Sequence, residues 1–225
     1  MSEQKIIEST KEYVKQTMAG DSSHDWWHVY RVWKVAKYIA KQEQADSFVV
    51  ELGALLHDIS DWKFNDGDFS VGANMATEWL KKNNVEQLII DHVNTILHNV
   101  SFKGANVKVP DDLSIENKVV QDADRLDAIG AMGIARAFAY GGYMRRDIYN
   151  PDIPPEFHDS FESYKNNNAS TLNHFYEKLL LLKDRMQTKT GRALAEKRHA
   201  FMEAYIQQFF IEWEPDKSIS ELITN

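Results

Sequence analysis

VVELGALLHD, residues 49–58, closes on Leu55-Leu56-His57-Asp58. Its apolar run is too continuous for a helix with one wet face, so the pattern predicts a helix over about 46–58 that is buried on most sides. A histidine and an aspartate at the end of such a helix need polar partners, because unpaired polar groups in a dry core are costly. A lone His-Asp pair can be a satisfied core histidine followed by a capping aspartate. What decides between that and a functional site is the rest of the chain.

Working outward, helical periodicity dominates. Ile6, Tyr13, Val14 and Met18 mark a first helix. A second runs from about 24 to 43, with Val29, Val32, Trp33, Ala36 and Ala40 on one face and Asp21, Ser22 and Ser23 as N-cap candidates. Further helices are expected at about 71–83, 85–98, 114–139, 157–164, 169–187 and 190–213, with loops at about 59–70, 99–113 and 140–156. Only residues 106–109 carry faint strand character. The expected class is all-α, a compact helical bundle in a single domain. Its core spans about 20–140 and its C-terminal helical extension about 155–215.

The 225 residues, 43% of them hydrophobic, suffice for a core without covalent staples. There is no cysteine, which excludes disulfides, cysteine-based zinc sites and a thiol nucleophile, and fits a reducing compartment. The opening MSEQKIIESTKEYVK is amphipathic and charged, unlike a signal peptide. No window approaches about 18 uninterrupted apolar residues. These features lead us to expect a soluble, cytoplasmic protein with no membrane partner. A net charge of −8 argues against broad binding of a nucleic-acid backbone. A small phosphorylated ligand needs only local cations or a metal and stays open.

Two further segments supply partners for the His-Asp pair. HDWWHVYRV, residues 24–32, places His28 on an amphipathic helix; VVQDADRLDAIGA, residues 119–131, carries Asp122, Asp124 and Asp127 on a largely apolar one. Histidines and carboxylates from separate helices can converge on one cation, as helix bundles commonly arrange. Burying several carboxylates without a cation is unfavourable. Imidazole and carboxylate together suit Mn²⁺, Fe²⁺, Ni²⁺, Zn²⁺ or Mg²⁺. On periodicity alone, Asp122 falls near the apolar face of its helix and Asp124 away from it.

The ordered set HDWWHVYRV, ALLHDISDWK, VQDADRLDAIGAMGIARAFAYGG and NHFYEKLLLLKDRM resembles the HD superfamily of metal-dependent phosphohydrolases over roughly residues 20–213. It is most similar to a bacterial branch that includes a nucleotide pyrophosphohydrolase. The resemblance implies that His28, His57, Asp58 and Asp124 hold one divalent metal, with manganese as the first expectation. It selects Asp124 because that aspartate precedes the basic residue in Ala-Asp-Arg-Leu. Asp122 and Asp127 then become supporting carboxylates. The resemblance also implies proton transfer by Asp61 and a phosphate contact by Arg125.

Other site residues are placed by position alone. Lys63 follows Asp61 in the same loop and could reach a phosphate. Arg31 lies one helical turn from His28. Tyr143, Arg145 and Arg146 lie in a Gly-rich loop that could act as a lid over phosphates. His24 can share the face of His28. His92 and His98, six apart, are off register, which leaves the site mononuclear. His158, His174 and His199 read as structural or exposed. Trp26, Trp33, Trp62 and Trp79 read as core or cavity wall, as does Trp27 beside His28.

The function these readings imply is hydrolysis of nucleoside triphosphates, dNTPs included, to monophosphate and pyrophosphate through a metal-activated water. A phosphomonoesterase or a cyclic-nucleotide phosphodiesterase could use the same chemistry, and a non-catalytic nucleotide-binding scaffold the same fold. Oligomeric state is left open.

Overall fold

The computed structural model describes residues 1–18, 25–59, 70–100, 112–156 and 169–213. Among these the chain is helical and forms no strand. The order is α1 (Glu3–Thr17), α2 (Trp26–Glu43), α3 (Ser47–Leu56), α4 (Ser70–Lys82), α5 (Gln87–Val100), α6 (Ile115–Asp127) and α7 (Gly130–Tyr143). There follow a short α8 (Asn173–Glu177), a 3-10 helix η1 (Leu179–Arg185) and the long α9 (Lys189–Trp213). The segments 106–109 and 157–164 lie outside the described residues. No described helix is long and apolar enough to cross a membrane.

The core forms around α3. Every residue from Phe48 to Leu56 is buried, and α1, α2, α5 and α6 pack against this helix. Asp46 starts it by accepting the N–H groups of Phe48 and Val49, and Glu116 of α6 accepts the N–H of Asp46 in turn. Leu52, Leu55 and Leu56 retain no exposed surface; burying each contributes about 1.5–3 kcal/mol. The helix ends at Leu56, and His57 and Asp58 occupy the turn that follows. Core packing therefore fixes where this pair emerges.

The first turn of α2 begins at Trp26 rather than at 24. Asp25 is its N-cap and accepts the His28 N–H at 2.9 Å. The cap candidates Asp21, Ser22 and Ser23 lie outside the described residues.

Two long helices expected from periodicity are broken. The segment 114–139 divides at Ala128-Ile129, and α7 opens on Gly130 at φ +76°. A Cβ on Gly130 would also lie 3.0 Å from Cβ and Cγ of Arg198, so backbone conformation and close approach both favour glycine there. The segment 169–187 becomes α8 and η1, with Lys178 at φ −142° between them. Leu172, Phe175, Leu179 and Leu182 are buried throughout. Their spacing of three and four is met by a 3-10 turn as well as by an α-helix, so apolar periodicity could not tell them apart.

The other central helix, α6, contacts α2, α3, α5, α7 and α9. Residues 119–123 and 125–127 are all buried, so carboxylates leave this helix in more than one direction.

Candidate metal centre

Three elements deliver the cluster: the first turn of α2, the turn after α3 and the last turns of α6. The two imidazoles meet head to head, with Nε2 of His57 3.3 Å from Nε2 of His28. Asp58 Oδ2 lies 3.6 Å from the His28 Nε2 and 3.9 Å from that of His57. Asp124 Oδ1 lies 3.5 Å and 3.8 Å from the same two atoms. His28, His57 and Asp58 each bring a ligand atom within 4.8 Å of the other two; Asp124 joins through the imidazole pair. The histidine rings are buried, while the Asp58 and Asp124 side chains keep 22% and 28% of their surface. The carboxylates thus mark the open side of the site.

Both rings are held by their far nitrogens. The His57 Nδ1 meets the Ala54 carbonyl at 2.8 Å, an acceptor that requires the ring to donate. The His28 Nδ1 meets Asp127 Oδ2 at 2.7 Å, again an acceptor. In each neutral ring the proton is therefore on Nδ1, and the Nε2 lone pair faces the cluster. Two such lone pairs and two carboxylate oxygens converge with no hydrogen to share among them. A divalent cation fits this donor set; imidazole and carboxylate donors of this kind suit Mn²⁺, Fe²⁺, Zn²⁺ and their neighbours. An imidazole buttressed through its other nitrogen by a carboxylate or carbonyl is the usual support for a metal-binding histidine.

Asp127 is the hub of that support. Besides His28 it accepts Arg31 Nε at 2.7 Å, Arg31 Nη2 at 3.0 Å and Arg136 Nη1 at 2.8 Å. Burial alone would raise its carboxyl; the hydrogen bonds from His28 and Arg31 and the charge of Arg136 outweigh that and hold it well below the ordinary carboxylate range. Arg136 was not among the residues expected at the site. It lies nine positions after Asp127 and meets it only because the chain turns at Gly130, which no helical periodicity signals.

Asp122 goes elsewhere. Its carboxylate accepts the Gln187 N–H at 2.9 Å and the Thr188 N–H and hydroxyl at 2.8 Å each, and so ties α6 to the start of α9. Burial raises its carboxyl, and the bonds from Gln187 and Thr188 oppose that. Arg125 is also tied within the protein. Its side chain is buried and Nη1 donates to the Arg185 carbonyl at 2.6 Å. Burial pushes the guanidinium below its ordinary value, against the charges of Asp122 and Asp124. Where a phosphate contact is expected of Arg125, the described structure has an internal tie from its Nη1 to η1.

Arg31 spends two of its nitrogens on Asp127, as above. Tyr143 and Arg145 are exposed at the end of α7, and Arg146 lies 5.9 Å from the Tyr140 ring. Tyr143 is seven residues beyond Arg136, about 10 Å along the helix. Asp61, Lys63 and His24 lie outside the described residues. His92 pairs with Ser114 at 2.8 Å and Glu116 at 3.4 Å; Ser114 precedes Asp124 by ten residues, about 15 Å of helix. The His98 Nδ1 bonds the Asn94 carbonyl at 2.7 Å.

The HD domain family matches residues 26–129, the interval from the first turn of α2 to the end of α6. YpgQ of Bacillus subtilis (strain 168) is 40% identical over 209 residues, covering 92% of this chain and 94% of its own. The chain belongs to the HD superfamily. A crystal structure of an HD-superfamily hydrolase from Bacillus thuringiensis is 42% identical, with 95% of this chain and 99% of that one covered at a TM-score of 0.76. The crystal structure of B. subtilis YpgQ in complex with ADP is 38% identical, with 96% and 97% covered at a TM-score of 0.73. As a member of the HD superfamily the protein is a metal-dependent phosphohydrolase.

Proposed function

We propose that this HD hydrolase cleaves nucleoside triphosphates, dNTPs among them, to the monophosphate and pyrophosphate, with His28, His57, Asp58 and Asp124 as the ligands of one divalent cation. The observation that carries the nucleotide assignment is the ADP complex of YpgQ, a relative aligned over nearly the whole chain. The ligand assignment is supported by the four convergent donor atoms and by the fixed tautomers of both rings.

A divalent cation bound there, Mn²⁺ in the first instance, supplies Lewis-acid polarisation of a phosphoryl oxygen and acidifies water near neutral pH. The protein's own part is to keep two Nε2 lone pairs aimed at one point. Asp127 holds His28 and the Ala54 carbonyl holds His57. Asp58 and Asp124 bring negative charge to the open side. Asp61 is proposed to move the proton, from the resemblance of the HDISD segment to related hydrolases, and Lys63, from its position two residues further on, to meet a phosphate.

The test is a panel of nucleoside mono-, di- and triphosphates, cyclic nucleotides and simple phosphomonoesters with the Mn²⁺-loaded full chain, read by ³¹P NMR. Triphosphates should yield pyrophosphate and monophosphate. Orthophosphate from monoesters alone, ring opening of cyclic nucleotides alone, or tight nucleotide binding without turnover would each overturn the reading.

A further inference from the structure

Asp127 receives more positive charge than one carboxylate balances. Two charged guanidiniums converge on it, beside the Nδ1–H of the neutral His28 ring. Its own side chain is almost wholly buried, while those of Arg31 and Arg136 remain 29% and 31% exposed. The carboxylate occupies Nε and Nη2 of Arg31 and Nη1 of Arg136. Nη1 of Arg31 and Nη2 of Arg136 have no hydrogen-bond partner among the described residues. Asp25 adds a second carboxylate charge near Arg31 while its Oδ1 caps α2, and Arg198, which donates to the Leu126 carbonyl, adds a third guanidinium in the field of Asp127.

Position adds to this. His28 and Arg31 are one helical turn apart on α2 and so share a face. The same imidazole that presents Nε2 to the cluster presents Nδ1 to Asp127. The His28 ring and the Asp127 carboxylate together therefore separate the two arginines from the ligand atoms, with Asp127 2.7 Å from the ring and 2.7–3.0 Å from the guanidiniums. A guanidinium already fixed on a carboxylate loses little further freedom when it binds a second anion, and its planar N–H fork suits phosphate. A phosphomonoester at the cluster has no second anionic group to offer these arginines. A diphosphate or triphosphate has.

We propose that Arg31 and Arg136, mounted on Asp127, form a subsite for the second phosphoryl group of a di- or triphosphate, adjoining the one that reaches the four ligands. The proposal rests on the nucleotide reading above and narrows it, because it makes the site selective for phosphoanhydrides over monoesters. Arg136 is then a specificity-determining residue, and Asp127 positions both a metal ligand and the anion subsite.

The test uses calorimetry on the Mn²⁺-loaded full chain with two non-hydrolysable probes, methylenediphosphonate and methylphosphonate. Wild type should prefer the diphosphonate. Arg136→Gln keeps a hydrogen-bond donor for Asp127 but removes the charge, and should weaken diphosphonate binding about tenfold with methylphosphonate affinity unchanged. Arg136→Lys should recover part of the loss. Mn²⁺ affinity, read by electron paramagnetic resonance, should be the same in all three proteins. Equal binding of the two probes by wild type would overturn the subsite. So would an Arg136→Gln protein that loses both probes together, or that loses Mn²⁺ affinity in proportion, since Arg136 would then serve only to brace Asp127. If Arg136→Gln fails to fold, Arg31→Gln carries the same comparison. Because binding is read without turnover, a wild type that prefers the diphosphonate but leaves triphosphates intact would sink the proposed reaction and leave the subsite standing.

Discussion

Asp122 and Asp124 are separated by one residue on α6, and the helix sends them to opposite tasks. Asp124 faces two imidazoles on the side where the carboxylates keep contact with solvent. Asp122, with no exposed surface, is saturated by protein hydrogen bonds from Gln187 and Thr188. Among the described residues no hydrogen bond reaches the first, while the second is an acceptor fully supplied. On the proposed ligand assignment, that contrast separates a group kept ready for a cation from one that holds the fold together.

Substituting each aspartate should separate the tasks. Asp124→Ala should reduce kcat more than about 100-fold and remove the rise in Tm that Mn²⁺ gives the wild type, while the metal-free protein keeps its stability. Steady-state kinetics and thermal melts with and without EDTA check this. Asp122→Ala should do the reverse. Leaving the buried Gln187 and Thr188 donors unmatched should cost about 3 kcal/mol in urea denaturation, with Mn²⁺ affinity retained. If the Asp122 variant loses the metal as completely as the Asp124 variant, the division between the two faces fails.

The C-terminal side can be tested through pH. Burial, with the charges of Lys178 and Arg146, lowers His174 to about 3 from an ordinary 6.5. Between those values the unfolded chain binds a proton that the folded chain refuses, so stability is full above about 6.5 and falls as pH drops. The slope of about 1.4 kcal/mol per unit gives a loss of about 2 kcal/mol by pH 5. His174→Gln should flatten that part of the profile. An unchanged profile would place the acid sensitivity elsewhere. The smallest expected effect is that of Gly130→Ala, about 1–2 kcal/mol from the left-handed backbone. Its unfolding free energy should fall without change in the probe preference of the Arg31–Arg136 pair unless the α6–α7 corner itself shifts.

Much of this was legible in the residues, for physical reasons that differ from place to place. The 49–58 run reads as a buried helix because continuous apolarity has one economical outcome, and α3 is buried on every side. His28, His57 and Asp58 were marked by polar chemistry in or beside apolar helices, and the structure brings their ligand atoms together. Asp124 was harder. One-face periodicity directed it away from the core, and it is the more exposed of the two, 28% of its side chain against none for Asp122; periodicity does not tell which of the two carboxylates meets the imidazoles. Enclosure of α6 by several helices withdrew Arg125 from solvent. Arg136 was not legible because its approach to Asp127 depends on a reversal set by one glycine. The division of 169–187 was hidden because α and 3-10 turns accept the same apolar spacing.

The reversal at Gly130 has a consequence for how the chain can vary in length. A single residue inserted between Asp127 and Gly130 would turn α7 by about 100° about its axis and swing Arg136 off the carboxylate it now meets at 2.8 Å. Loops elsewhere on such a protein absorb insertions at little cost. This corner is instead a ruler: the number of residues between Asp127 and the glycine sets the distance between the aspartate that holds His28 and the arginine that completes its surroundings.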